Sequence, residues 1–160
     1  ARAKCGIIRF INIDSISSLS DKGILAVNQE WIGPDGSVPI TEHTIYNFRA
    51  GNDYRIIDHF TTLTAQEPEV SFTDTKEGAF AIRVARFLEF PSKEPKIFVD
   101  AQGMPAKVPV INNEGVTGNY LSSEGVEGAG VWSTRARWMM LYGVSGSDTI
   151  SLLFMDIPLT

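Results

Sequence analysis

Between two strand-like stretches stands Asp74-Thr75-Lys76-Glu77-Gly78, two carboxylates flanking an ammonium in a turn that ends on glycine. Such a group can supply a general acid and a general base, because unlike neighbouring charges and partial burial drive carboxyl pKa values apart. Loops joining strands are also where β scaffolds carry their chemistry. Asp74, Lys76 and Glu77 are therefore the candidate catalytic residues. The same pattern also describes a charged turn in water, and the residue types alone do not separate the two.

A second set lies at Ser133, Arg135 and Arg137, which alternate with Trp132, Thr134, Ala136, Trp138, Met140 and Tyr142. Read as a strand over 131–142, the segment sends its aromatics to one face and both guanidiniums to the other. Two arginines at i and i+2 make a clamp for a carboxylate or phosphate. The competing reading pairs them with acidic residues of neighbouring strands. Arg83 alternates with the apolar set of its own strand in the same way. Asp74, Lys76 and Glu77 are thus expected beside Arg83, Arg135 and Arg137, as counter-charges to cations that would otherwise repel one another.

His43 and His59 are the two histidines. With Gly51 at the centre of a hairpin they stand directly across from each other, alongside Ile45 opposite Ile57 and Asn47 opposite Arg55. Facing imidazoles can hold a metal if a third ligand arrives from elsewhere. Two surface histidines fit the same residues, and a one-residue change of register would put them on opposite faces. Two histidines without a cysteine pair offer few soft ligands, so no tightly bound transition metal and no cofactor is expected. Cys5 stands alone, without an activating partner nearby. No phosphate loop, dinucleotide fingerprint, nucleophile elbow or zincin motif occurs.

The elements that must position these residues read as strands. Helical periodicity is not sustained for three turns anywhere, whereas period-2 patterns recur over 6–14, 23–32, 39–49, 53–64, 69–74, 79–88, 96–100, 131–142 and 148–156. Gly33-Pro34-Asp35-Gly36 suits a tight turn, and Ala50-Gly51-Asn52 a short hairpin loop. Short connections between successive strands make antiparallel neighbours. The fold class is therefore an all-β antiparallel sandwich with very little helix, its interior including Phe80, Ile82, Val84, Leu152 and Phe154. Residues 1–160 read as one unit, broken by an irregular insertion over 89–130 that is rich in Pro and Gly. Within it Glu114-Gly115-Val116-Thr117-Gly118 is echoed by Glu124-Gly125-Val126-Glu127-Gly128, both read as turns enabled by glycine.

Composition excludes other classes. A formal net charge of −5 argues against a nucleic-acid partner, which calls for a basic face. No apolar run approaches the roughly 18 residues that span a bilayer, so membrane insertion is not expected and the chain reads as soluble. The start at Ala1-Arg2-Ala3-Lys4 and the stop at Pro158-Leu159-Thr160, straight after a strand-like run, read as cuts inside a larger fold.

Several segments together resemble one family. They are Phe72 to Arg83, Asn113-Glu114-Gly115 with Gly118, Ser123-Glu124-Gly125, and Val131-Trp132-Ser133-Thr134-Arg135-Ala136-Arg137-Trp138. The chain resembles the bacterial PmoA-like proteins, a domain family of unknown function that carries the label "methane oxygenase PmoA". A membrane methane monooxygenase needs several spanning helices, and this chain is not one. The resemblance implies a large β-sandwich of the sugar-epimerase-like kind, often exported, and often found beside sugar-oxidising and polysaccharide-degrading systems. It adds Glu124 and Trp138 to Arg83, Arg135 and Arg137 as the candidate ligand-binding set. Where the family carries Asp-His-Pro, this chain reads Asp156-Ile157-Pro158.

Two functions from different classes follow. One is acid/base processing of a sugar or oxidised sugar, with Asp74 or Glu77 as acid or base and an arginine as the anion clamp. The partner would then be a carbohydrate or a small acidic ligand. The other is a non-catalytic carbohydrate-binding or structural module, for which Trp31, Tyr46, Tyr54, Tyr120 and Trp138 would supply exposed rings. A third, a metal-dependent oxygenase, rests on His43 and His59 alone.

Overall fold

The computed structural model describes residues 5–66, 69–73, 80–92, 102, 104 and 113–155. The expectation of an antiparallel all-β chain holds: the described residues form seven strands in two antiparallel sheets, and their only helical pieces are two short 3-10 segments. The chain divides into two compact units, residues 1–77 and residues 78–160.

The first unit is a four-stranded meander, β1 (Ile7–Ser18), β2 (Lys22–Ile32), β3 (Ile40–Ala50) and β4 (Arg55–Ala65), in the order of the chain. Residues paired across a ladder share a face. One face carries Ile8, Phe10, Ile13 and Ile16 of β1 opposite Trp31, Gln29, Val27 and Leu25 of β2. Strict alternation from Phe10 would have placed Asn12 and Asp14 on that apolar face. Two bulges, with Ile11 and Asp14 as the extra residues, rotate them off it, bring Ile13 onto it and keep Ile16 there. The turn from β2 to β3 is the expected one. The Gly33 carbonyl accepts from Gly36 N–H at 3.0 Å, and Gly36 takes a φ of 86° that its lack of a Cβ permits.

The β3–β4 hairpin departs from expectation. Its loop is 51–54, closed by a bond from Gly51 N–H to the Tyr54 carbonyl at 3.0 Å, with Ala50 opposite Arg55. The centre of the turn therefore lies between Asn52 and Asp53, not at Gly51. Ile45 faces Phe60 and Asn47 faces Asp58.

The second unit contains β5 (Asn119–Ser122), β6 (Trp138–Ser145) and β7 (Asp148–Met155), again antiparallel in chain order. Its buried centre includes Leu88, Val131 and Leu141. Leu88 ends a 3-10 turn, Arg86–Leu88, held by bonds from Thr117 N–H to the Phe87 carbonyl and from Gly118 N–H to the Glu89 carbonyl, both 3.0 Å. These isolated bonds replace a ladder, and the described part of the expected strand 79–88 is not a strand. Phe80 and Ile82 are accordingly exposed rather than internal, while Val84, Leu152 and Phe154 are half-buried.

Two further strand expectations change. Residues 69–73 form no strand, and 96–100 lie outside the described residues. The strand expected from 131 begins only at Trp138, because a 3-10 segment over Gly128–Val131 runs on into turns at 132–134. Ser133 there holds a φ of 60°, incompatible with a strand. The insertion 89–130 also contains a strand, β5. The two glycine echoes are indeed turns, with Gly115 at φ 71° and Gly125 at φ 73°.

Candidate functional site

Asp74, Lys76 and Glu77 lie outside the described residues. The expected ligand-binding residues Arg83, Glu124, Arg135, Arg137 and Trp138 are all in the second unit. Arg83, Arg135 and Arg137 are exposed, and among the described residues none of them makes an ion pair. The alternation that placed Arg135 and Arg137 on one strand face does not apply, since both precede β6. The fold does bring Glu124, Arg137 and Trp138 together around Ser123. The Ser123 hydroxyl donates to Glu124 Oε1 at 2.8 Å and accepts from Arg137 N–H at 3.0 Å, and Ser123 N–H donates to the Trp138 carbonyl at 3.0 Å.

The two histidines do not meet. His43 pairs with Thr62 and His59 with Tyr46, an odd displacement from the expected register, so the rings project from opposite faces of the first sheet. His43 Nε2 instead stands 3.5 Å from Asp14, the residue that the second β1 bulge turned off the apolar face. Among the described residues no group of three His, Cys, Asp or Glu side chains is placed to hold a metal ion.

The face that carries His59 holds an arrangement the residue pattern did not single out. Ile40, Glu42, Thr44, Tyr46 and Phe48 alternate along β3, and Leu63, Thr61, His59 and Ile57 oppose the last four of them on β4. Glu42 is only 9% exposed and Thr44 is fully buried, on the face that also carries Ile40, Tyr46 and Phe48. A buried carboxylate must be met by donors. Glu42 Oε1 accepts from Gln29 Nε2 at 2.9 Å and from the Thr44 hydroxyl at 2.7 Å, and Oε2 accepts from Trp31 Nε1 at 2.6 Å. Phe72 packs edge-on against the Trp31 ring, with centroids 6.1 Å apart.

The polar contacts continue outward. The Thr44 and Thr61 hydroxyls meet at 2.9 Å, and Thr61 Oγ1 lies 3.0 Å from His59 Nε2. An unbroken chain of hydrogen bonds thus joins a buried carboxylate to an exposed imidazole. His59 lies flat against Tyr46, its partner across the ladder, with ring centres 4.9 Å apart and planes within 2°, and Phe48 stacks near Tyr46 at 6.2 Å. The site therefore couples a carboxylate, two hydroxyls and an imidazole beside a strip of rings.

Of the rings expected to be exposed, Tyr54 is, whereas Trp31, Tyr46, Tyr120 and Trp138 are half-buried. Trp132, at 78% exposure, is more open than any of them. The sequence signal for the β3 site was present: Glu42 and Thr44 fall in phase with Ile40 and Tyr46, so polar side chains occupy interior positions of the alternation. A groove of about 550 Å³ lies beside Phe48, among Leu19, Lys22, Arg55 and Ile57, and does not include Glu42 or His59. Among the described residues no helix is long and apolar enough to cross a membrane.

Comparison with known proteins places the chain. It belongs to a family of unknown function, DUF6807, whose model matches residues 1–160. No curated protein and no solved structure matches it.

Proposed function

We propose that the β3–β4 face binds a sugar or oxidised sugar against Tyr46 and His59, and that His59 exchanges a proton with it. The observation that carries this reading is the hydrogen-bonded path from Glu42 through Thr44 and Thr61 to His59. Imidazole is the side chain whose ordinary pKa suits acid/base work near neutrality, and a buried carboxylate behind it is the partner that orients it. Tyr46 and Phe48 offer apolar ring surface for a sugar to stack on. The resemblance to PmoA-like proteins, with their sugar-processing neighbourhoods, points to the same ligand class. The carbohydrate assignment thus rests on ring chemistry and that resemblance.

A second reading, a non-catalytic carbohydrate-binding module, is favoured by one observation: Glu42, Thr61 and His59 do not line the groove. The test is a panel of neutral, acidic and 3-keto sugars presented to the full-length protein, with binding and turnover both recorded. Under the enzymatic reading His59→Gln abolishes turnover while Tyr46→Ala weakens binding about tenfold or more, the scale of about 1.4 kcal/mol. Binding without turnover of any sugar, unchanged in His59→Gln, supports the module. Unaltered binding in both variants removes the site from either reading.

A further inference from the structure

We infer that the Thr44–Thr61 hydroxyl pair fixes which nitrogen of His59 carries the proton, making both threonines positioning residues in a directional proton path that ends on Glu42. The donors along the path admit one arrangement. Gln29 Nε2 and Trp31 Nε1 can only donate, so both oxygens of Glu42 act as acceptors. With Glu42 as a carboxylate, the 2.7 Å contact from Thr44 uses the one proton of the Thr44 hydroxyl. Thr44 Oγ1 must then accept from Thr61 across their 2.9 Å contact, which uses the proton of Thr61 in turn. The only hydrogen left for the 3.0 Å contact between Thr61 Oγ1 and His59 is one on Nε2. Neutral His59 is therefore the Nε2–H tautomer, and its basic lone pair is on Nδ1.

The path has a reversed form. A proton arriving at Nδ1 lets the Nε2 proton pass to Thr61 Oγ1, the Thr61 proton to Thr44 Oγ1, and the Thr44 proton to Glu42 Oε1. Each hydroxyl loses one proton and gains one, imidazole ends neutral as the Nδ1–H tautomer, and Glu42 ends as the neutral acid. No net charge accumulates on the ring stacked against Tyr46. The inference rests on the hydrogen-bond geometry and not on the identity of any ligand.

The test is two-bond ¹H–¹⁵N correlation of the histidine rings in the ¹⁵N-labelled, ligand-free protein at about pH 8.5, well above the ordinary imidazole pKa of about 6.5. The His59 signals are identified by their loss in His59→Gln. Expected is a dominant Nε2–H tautomer in the parent protein. Thr61→Val breaks the path at an exposed strand position where a β-branched residue is tolerated, and should shift His59 toward a mixture of tautomers. Thr44→Val should do the same from the buried side, and Thr61→Ser should restore the parent pattern. A dominant Nδ1–H tautomer in the parent, or unchanged populations in Thr61→Val, overturns the inference. Because no ligand is present, failure to bind any sugar would leave this result standing, and the reverse is equally true.

Discussion

Thr44 on β3 and Thr61 on β4 stand directly across the ladder from each other, their hydroxyls 2.9 Å apart, the first fully buried and the second exposed. One hydrogen bond thus crosses from interior to surface, and the two ends should respond differently to the same substitution. Thr44→Val keeps the shape but strips Glu42 Oε1 of its 2.7 Å donor. The expected loss is about 1–2 kcal/mol, whereas Thr61→Val, which leaves the Thr44 hydroxyl its bond to Glu42 and an exposed imidazole that can turn to water, should cost roughly 0.5 kcal/mol or less. Urea unfolding of both variants measures the difference. Equal losses would mean that burial does not set the value of this network.

In the second unit the decisive contacts are to backbone. A Cβ on Gly118 would collide with the carbonyls of Leu88 and Glu89, which cannot swing aside as a side-chain tip can. Gly118→Ala should therefore destabilise by about 1–3 kcal/mol, the usual scale of overpacking, and loosen the turn that buries Leu88. Gly146 is a useful contrast: a Cβ there meets nothing within 4 Å, and only its φ of 64° opposes one. Gly146→Ala should cost about 1–2 kcal/mol through backbone strain alone. Thermal unfolding should show loss of the Leu88 packing in the first variant and not in the second.

How much of this could be read beforehand depended on whether local rules acted alone. The tight turn at Gly33–Gly36 and the strands β2, β3, β4 and β7 followed from alternation and turn chemistry, to within about two residues at each end. The register of β3 on β4 did not, because Gly51 draws attention as the natural turn residue while Tyr54 and Asp53 complete a longer loop. That difference of three positions moved His43 and His59 to opposite faces and removed the metal idea with them. The 131–137 segment misled for another reason. Its alternation of aromatic and basic residues is genuine, but the positive φ of Ser133 and the preceding 3-10 segment are not visible in residue types. Glu42 was legible as a polar residue in an interior phase; that Trp31 and Gln29 would converge on it depended on strand pairing.

Asp35 gives the pH dependence. Its Oδ1 accepts from the Ser37 hydroxyl at 2.7 Å and from Ser37 N–H at 3.0 Å, and these bonds hold its carboxyl below the usual carboxylate range. A pKa lower in the folded than in the unfolded chain means stability that is present above the unfolded value of about 4 and is lost as pH falls through the folded value. Ser37→Ala removes the first of the two bonds. The Asp35 midpoint, followed by NMR of its side-chain carbonyl, should rise toward the ordinary value. The acid limb of the stability curve should become correspondingly shallower. A midpoint indifferent to Ser37→Ala would assign the lowering to something other than that hydroxyl.

Trp31 and Glu42 test whether the buried carboxylate is held as a network or as a set of separate bonds. Trp31→Phe keeps a ring against Phe72 but deletes the N–H that donates to Glu42 Oε2 at 2.6 Å. Glu42→Met keeps length and removes the acceptor, leaving the donors of Trp31, Gln29 and Thr44 facing an apolar group. The first should cost about 1–3 kcal/mol and the second about 2–4 kcal/mol, since a buried polar group left without its partner loses its hydration and gains nothing. The double variant is the informative one. Once the carboxylate is gone, the indole N–H has no acceptor to lose, so Trp31→Phe in the Glu42→Met background should be nearly neutral. The coupling expected in a double-mutant cycle then equals the cost of Trp31→Phe alone, about 1–3 kcal/mol, well outside the range of independent sites. Additive losses in chemical denaturation would show that Trp31 contributes through its ring alone, and that Glu42 is held by Gln29 and Thr44 without it.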